Sequence, residues 1–385
     1  MEDPPILYLS RQDVESAGIT MPEIIGALED MFLEKGAGRV EMPPKPGIHT
    51  RENAFIHAMP AYIPKLEAAG LKWVSGYPAN QAKGLPYITG LLILNDPETG
   101  IPLAIMDCTW ITAVRTGAAT AIAAKHLARR DSATVGIVAC GVQGRSNLEA
   151  LACTHRIRKV RAYDISFDVA RRYAREMEAR LHLDIEPVRE LSAAVRGLDI
   201  VVTSGPILKQ PTPPIPAGWL ASGAFASLVD FDSYWQGAAL READKLATDD
   251  LAQMRYYREE GYFRDTPDAY ADLGEIVAGN QAGTRNRRRA DREHQPWARA
   301  GRHGGGDSGV PAGQGPEAGD RAARLGVRAS ALLVGLHDAD GDQRDAQGQE
   351  DVDEAGRNGH TERQDDPHGQ REEREQEVAV HGVTV

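Results

Sequence analysis

Ser132-Ala-Thr-Val-Gly-Ile-Val-Ala-Cys-Gly-Val-Gln-Gly-Arg-Ser-Asn-Leu-Glu-Ala-Leu151, followed by Val160-Arg-Ala-Tyr-Asp164, is the stretch that decides the fold class. An apolar run, Val135–Ala139, meets a small-residue turn, Cys140–Gly144, and then a helix-like run. A second short β-type run ends in an acid. This is the order of a dinucleotide-binding βαβ unit. Gly141 lets the backbone approach a pyrophosphate, and Gly144 lets the helix pack closely on the strand. The helix start, at Val142 and Gln143, offers unpaired N–H groups and a partial positive charge. Asp164 lies roughly 20 residues on, where a carboxylate accepts hydrogen bonds from ribose hydroxyls. It favours NAD over NADP, because it would repel a 2′-phosphate; Arg161 and Arg171 are near enough to soften that preference. The first glycine position is Ala139, so the motif is A-x-G-x-x-G, and an ordinary tight βα turn is the competing reading.

Working outward, the alternation continues. Val169–Arg180 and Leu191–Arg196 have helical spacing, while Asp199–Ser204 and Gly223–Val229 are apolar strand-like runs. Strand–helix repeats imply a parallel, doubly wound Rossmann-type sheet whose ligands sit at the strands' carboxyl ends. Ser204, Asp230 and Asp232 fall on that edge. Before this unit, Met21–Lys35 has the spacing of an amphipathic helix capped by Thr20. Ala54–Met59, Leu71–Ser75, Tyr87–Asn95 and Pro102–Asp107 read as strands, the last two joined by the turn Asp96–Gly100. An antiparallel or mixed sheet follows, so the fold class is α/β: a Rossmann-type sheet plus a smaller α+β domain. The Ala- and Thr-rich helix Thr109–Ala128 joins the two. The expected boundaries are 1–126 for the smaller domain and 127–283 for the nucleotide-binding domain.

A net charge of −12 and a pI near 5.5 oppose a nucleic-acid or anionic-membrane role. The three cysteines, Cys108, Cys140 and Cys153, show no zinc spacing and no disulfide framework, so no metal and a cytoplasmic location are expected. The acidic N-terminus is no signal peptide, and no apolar stretch is long enough to span a bilayer.

The composition breaks near Gly283. From Thr284 to Val385 there is no Lys, Ile, Phe, Tyr, Met or Cys, and Trp297 is the one aromatic residue. Such a segment cannot bury enough apolar surface to offset its ordering entropy, so most of the tail over 284–385 is expected to be disordered, with the apolar island Ala329–Leu336 a candidate helical turn or short strand. The loss of residues with AT-rich codons also fits a GC-rich gene translated out of frame. The break also falls inside a motif that looks interrupted, which favours the frame-shifted reading over an evolved tail.

Lys45 follows Pro43-Pro44, Lys72 lies alone in the strand-like Leu71–Ser75, and Arg115 sits on the Thr109–Ala128 helix. A lone basic residue in an apolar run is commonly a strand edge reaching water. Together the three fit a site gripping an α-carboxylate, Arg as a planar fork and Lys as point charges.

Residues 40–283 resemble the ornithine cyclodeaminase/mu-crystallin family. The resemblance is carried by Val40-Glu-Met-Pro-Pro-Lys45, Met59-Pro-Ala-Tyr62, Gly70-Leu-Lys-Trp-Val74, Lys83-Gly-Leu-Pro86, Ala113-Val-Arg-Thr-Gly-Ala-Ala119, Cys140-Gly-Val-Gln143 and Leu273-Gly-Glu-Ile-Val-Ala-Gly279. It implies a substrate-binding and dimerising domain beside the Rossmann domain. The implied activities are cyclising deamination of an amino acid, amino-acid dehydrogenation or reduction of a cyclic imine. It implies that Lys45, Lys72 and Arg115 hold the substrate carboxylate, with Met59 and His57 beside it. Asp232, or Asp230 if the loop shifts, is the implied proton carrier, and Lys72 an auxiliary one. Gly141, Val142, Gln143 and Asp164 would bind the dinucleotide, with Thr116 and Ser204 as further contacts.

Three departures matter. His57 replaces the acid that precedes the Met-Pro segment in ornithine-cyclising members; it reads either as a pH-sensitive group facing the site or as a packed strand histidine. Asp232-Ser-Tyr-Trp235 replaces a Gly-Lys loop, so Tyr234 and Trp235 either reshape the pocket or pack at a helix start. In the family, helices return after the segment matching Val277-Ala-Gly279 to complete the first domain and the dimer, whereas here that text gives way to Gly283-Thr-Arg-Asn-Arg-Arg. Hence the alternative reading is a non-catalytic, dinucleotide- or ligand-binding member, with a homodimer expected only if the C-terminus is complete.

Overall fold

The computed structural model describes residues 5–43, 45–283 and 379–382. The first lobe opens with strand β1 (Leu7–Leu9) and helices α1 (Arg11–Ser16) and α2 (Met21–Gly36). Thr20 and Glu23 close a reciprocal capping box that starts α2, and its buried stripe includes Ile24, Leu28, Met31 and Phe32. Strands β2 (Gly47–Ile48), β3 (Phe55–Ile63), β4 (Ala68–Gly76), β5 (Ile88–Asn95) and β6 (Pro102–Asp107) follow, and then helix α3 (Thr109–Leu127). The sheet order is β1-β6-β5-β4-β3-β2, antiparallel except for the parallel β1–β6 pair. It is therefore mixed. Its inner face buries Met59, Val74, Leu92, Leu94, Ala104 and Met106.

The second lobe alternates strands β7 (Thr134–Val138), β8 (Lys159–Tyr163), β9 (Asp184–Val188), β10 (Ile200–Thr203) and β11 (Phe225–Leu228) with helices α4 (Val142–Thr154) and α5 (Phe167–Leu181). Helix α6 (Gly237–Leu240), strand β12 (Lys245–Thr248), helix α7 (Leu251–Glu259), strand β13 (Ala271–Asp272) and helix α8 (Leu273–Val277) complete it before the tail, which returns as β14 (Ala379–Gly382). Every pairing is parallel, in the order β13-β12-β14-β11-β10-β7-β8-β9. Winding reverses between β7 and β10, so their carboxyl ends form the topological switch point.

Gly117 explains the small-residue run on α3: a side chain there would strike the Ser146 backbone of α4. Helix α8 packs back on α2, where Gly36 and Gly274 meet backbone to backbone. The lobes are also pinned by Lys35, whose ammonium pairs with Asp250 at 2.8 Å and Asp272 at 2.6 Å. Those acids cap α7 and α8 respectively. Burial opposes the Lys35 charge, but the two acids more than offset it and Lys35 titrates above its ordinary range.

Within the tail, Ala379–Gly382 forms a strand that pairs in parallel with both β11 and β12. The rest of the tail expected to be disordered, including Ala329–Leu336, lies outside the described residues. No helix among them is long and apolar enough to cross a membrane.

Candidate active site

The turn after β7 has the shape its sequence demands, with one exception. Ala139 stands at φ 73°, the left-handed backbone that a glycine would adopt without strain. A Cβ on Gly141 would meet nothing within 4 Å, so that side of the turn is open. A Cβ on Gly144 would lie 2.6 Å from the Ala139 carbonyl, which is why α4 sits tightly against β7. Val142, the first residue of α4, is 65% exposed, leaving the helix N-terminus accessible. Gln143 follows on the first turn, its carbonyl accepting from Asn147. Asp164 follows β8 directly and accepts from the Cys140 N–H at 3.0 Å and the Ser166 N–H at 3.0 Å. The arginines that weighed against NAD are engaged elsewhere: Arg161 with Glu186 and the Ala193 carbonyl, Arg171 with Asp168. Ser204 bonds the Val138 and Ala139 carbonyls at the switch point. Thr116 is fully buried, its hydroxyl spent on the Thr112 carbonyl. An open glycine turn, an accessible helix start and a carboxylate beside them fit a dinucleotide with an unmodified ribose.

The three cations lie in one electrostatic cluster under the first sheet. Lys45 is 3% exposed, Lys72 1% and Arg115 3%. Burial drives all three below their ordinary values: Lys45 to about 7, Arg115 to about 10, and Lys72 well down. Lys45 stands 4.6 Å over the Tyr257 ring of α7, so its charge bridges the lobes. The Arg115 Nε is buried with no hydrogen-bond partner among the described residues. A buried guanidinium with an idle donor is costly unless an anion completes it. Met59 lies beside Lys72 in the β3–β4 register and is buried.

His57 is both packed and site-facing. Its ring stacks on Phe55 at 4.4 Å, and its pKa falls to about 3, through burial first and then the charges of Lys45, His49 and Lys72. That direction keeps the ring neutral over the ordinary pH range and favours the packed-histidine reading. Tyr234 and Trp235 divide their roles. Trp235 is 1% exposed and donates to Thr203 at 3.2 Å, a packing residue. Tyr234 is half-buried and lies directly on Gly205, at the carboxyl edge of β10.

Asp230 is completely buried and accepts from the Thr203 hydroxyl at 2.8 Å and the Gly205 N–H at 2.9 Å. Burial lifts it to about 7. Asp232 is less buried, accepts from the Thr266 hydroxyl at 3.0 Å, and is also raised by burial. Phe231 between them is held at φ 61°, a strained conformation for an aromatic residue. No cluster of metal-ligating side chains occurs among the described residues.

The model of the ornithine cyclodeaminase/mu-crystallin family matches residues 7–291. The chain belongs to this family. The match extends the resemblance read over 40–283 to include β1, α1 and α2. Alanine dehydrogenase of Archaeoglobus fulgidus is 37% identical over 291 residues, covering 72% of this chain and 85% of that protein. The structure of Thermococcus litoralis Δ1-pyrroline-2-carboxylate reductase, in complex with NADH and L-proline, is similar at TM-score 0.65 and 35% identity, over 73% of this chain and 89% of that one. An archaeal alanine dehydrogenase dimer with bound NAD is similar at TM-score 0.64 and 34% identity, over 73% and 87%.

The residues gathered here were named in the sequence from the small-residue turn, the lone cations and the family-motif segments. Asp249, Tyr257 and Thr203 escaped notice. The signal for Asp249 was the same as for Asp164: a short apolar run, Leu246-Ala247, ending in an acidic turn.

Proposed function

We propose that the chain is an NAD(H)-dependent enzyme that transfers hydride at the α-carbon of a small α-amino acid or its imine, with net redox change. The observation that carries this reading is the idle, buried Arg115 donor beside buried Lys72 and Lys45, in a chain whose other lobe is a dinucleotide-binding sheet. Bound NAD(H) supplies the hydride or accepts it. Lys45, Lys72 and Arg115 grip the α-carboxylate and so orient the α-carbon. Met59 and neutral His57 line that grip. Asp232, the more accessible of the two acids, moves the proton at the nitrogen, while Asp230 anchors the loop through Thr203 and Gly205. Gly141, Val142 and Gln143 hold the pyrophosphate, Asp164 the adenosine ribose, and Ser204 the switch point; Thr116 supports these from within α3. Residues 1–126 form the substrate lobe and 127–283 the cofactor lobe.

A net-redox reaction is favoured over cyclisation by the surroundings of the grip: three cations and a neutral His57 offer little to a substrate's second ammonium group. With a complete C-terminus, the enzyme acts as a homodimer through the outer face of the first sheet, where Trp73 and Leu91 are paired in register and are 44% and 48% exposed. Its three free cysteines suit a reducing cytoplasm.

The test is absorbance at the NADH band with Δ1-pyrroline-2-carboxylate, alanine and ornithine in turn. NADH consumption with the imine, or formation with alanine, is expected. Proline and ammonia from ornithine without net NADH change would replace this reading with cyclodeamination. NADH binding with no turnover would replace it with the non-catalytic one.

A further inference from the structure

The glycine turn after β7 is tied from behind by side chains. Ser204 donates its hydroxyl to the Ala139 carbonyl at 3.1 Å and to the Val138 carbonyl at 3.3 Å. Arg145 Nη1 donates to the Cys140 carbonyl at 2.5 Å and to the Gly141 carbonyl at 3.0 Å. The Tyr173 hydroxyl donates to the Gly144 carbonyl at 2.9 Å. The turn's carbonyls thus face protein donors, while the N–H groups that open α4 have no partner inside the helix and are left for an anion. Arg145 is itself held by α5, which carries both Tyr173 and Glu176. Its Nε donates to the two Glu176 oxygens at 2.9 Å and 3.1 Å, its Nη2 donates to Glu176 at 2.6 Å, and the guanidinium stands 5.3 Å from the Tyr173 ring centroid. A planar fork can bond a carboxylate on one side and still aim Nη1 at the turn. The turn has reason to need this hold. Ala139 stands at φ 73° where the motif has its first glycine, and such a conformation persists only where the surroundings over-determine it. The two carbonyls that Arg145 bonds are the next two along the chain.

We propose that Arg145 is a positioning residue of the cofactor site: its bonds to the Cys140 and Gly141 carbonyls hold the strained Ala139 turn in the shape that presents the start of α4 to the dinucleotide pyrophosphate. The inference rests on the reading of this turn as the pyrophosphate site given above. Arg145 acts through the backbone, and its charge is answered by Glu176, so the role needs no contact between its guanidinium and the cofactor.

The experiment places Arg145→Met and Arg145→Lys in the full chain, each in the wild-type and the Ala139→Gly backgrounds. NADH affinity is read by fluorescence titration, and amide hydrogen exchange is read without ligand. Methionine keeps a long stem against Tyr173 but bonds neither carbonyl. In the wild-type background Arg145→Met should weaken NADH binding about ten-fold. Exchange protection should fall at the Ala139 and Cys140 amides and stay at Thr134–Val138, which reports an intact sheet. In the Ala139→Gly background the same substitution should cost only about two-fold, because glycine holds a positive φ without strain. Arg145→Lys keeps the charge without the fork and should follow the methionine pattern in both backgrounds. If the methionine variant does not fold, the milder lysine variant carries the same comparison. Unchanged NADH affinity, or an equal loss in both backgrounds, overturns the proposal. Full affinity in Arg145→Lys also overturns it, and makes Arg145 a charge acting on the phosphates. A wild type that binds no NADH overturns the cofactor reading itself, and with it Arg145's role there.

Discussion

At the scale of single residues, Ala139 and Lys45 carry the clearest consequences. Ala139 is held at φ 73°, where a Cβ costs on the order of 1 kcal/mol. Replacement by glycine relieves that strain at some cost in unfolded-chain entropy. Ala139→Gly is expected to raise stability by up to about 1 kcal/mol in urea unfolding, with NADH affinity retained. Burial brings Lys45 down to about 7, so in the proposed grip its hold on a carboxylate is complete below that pH and fades above it. The sign follows from the charge: deprotonation removes the cation. Wild-type kcat/KM should therefore fall as pH rises past about 7, and Lys45→Arg should flatten that limb, since a guanidinium stays charged. A limb unchanged in the arginine variant would remove Lys45 from the grip. These residues were legible as types in a pattern. Their titration was not, because burial depends on which sheet and helices close over them.

At the scale of elements, the βα turn was readable in detail. Gly144 was expected to permit close helix packing, and a Cβ there would sit 2.6 Å from the Ala139 carbonyl and 3.1 Å from Ile137. Gly144→Ala should push α4 away from β7, lowering stability by about 1–3 kcal/mol and weakening NADH binding, measured by fluorescence titration. Unaltered NADH affinity in that variant would separate the turn from the cofactor site. The strands Pro102–Asp107 and the helix starting at Thr109 match their sequence reading at the residues where they begin. Strand β12 and helix α7 were missed. Lys245–Thr248 is four residues long and Leu251–Glu259 is rich in Arg, Glu and Tyr, so neither shows a strong period. Their burial with the aromatic cluster of Phe231, Tyr262 and Phe263, and the placing of Tyr257 of α7 under Lys45, are tertiary events.

At the scale of the molecule, the second sheet is continuous because β14 bridges β11 and β12. Its contribution is backbone pairing on both sides, and a proline there removes an N–H from the ladder. Deletion of residues 379–385, or Val380→Pro, should lower the melting temperature and loosen β12, α7 and the Lys45 contact. NADH binding at β7, β8 and β10 should persist. Hydrogen exchange would show protection lost at Phe225–Leu228 and Lys245–Thr248 and kept at Thr134–Val138. Equal protection in both variants would show that β11 and β12 do not depend on this strand.

The sequence by itself determined the βα turn, the acid after β8, the family and the three cations, because each depends on residue type at short spacing. Only the tertiary structure decided that the three cations are buried together, that burial drives His57 far below its ordinary range, and that Tyr257 of the other lobe lies under Lys45. Those properties arise from desolvation and charge between segments far apart in the chain, and no local spacing encodes them.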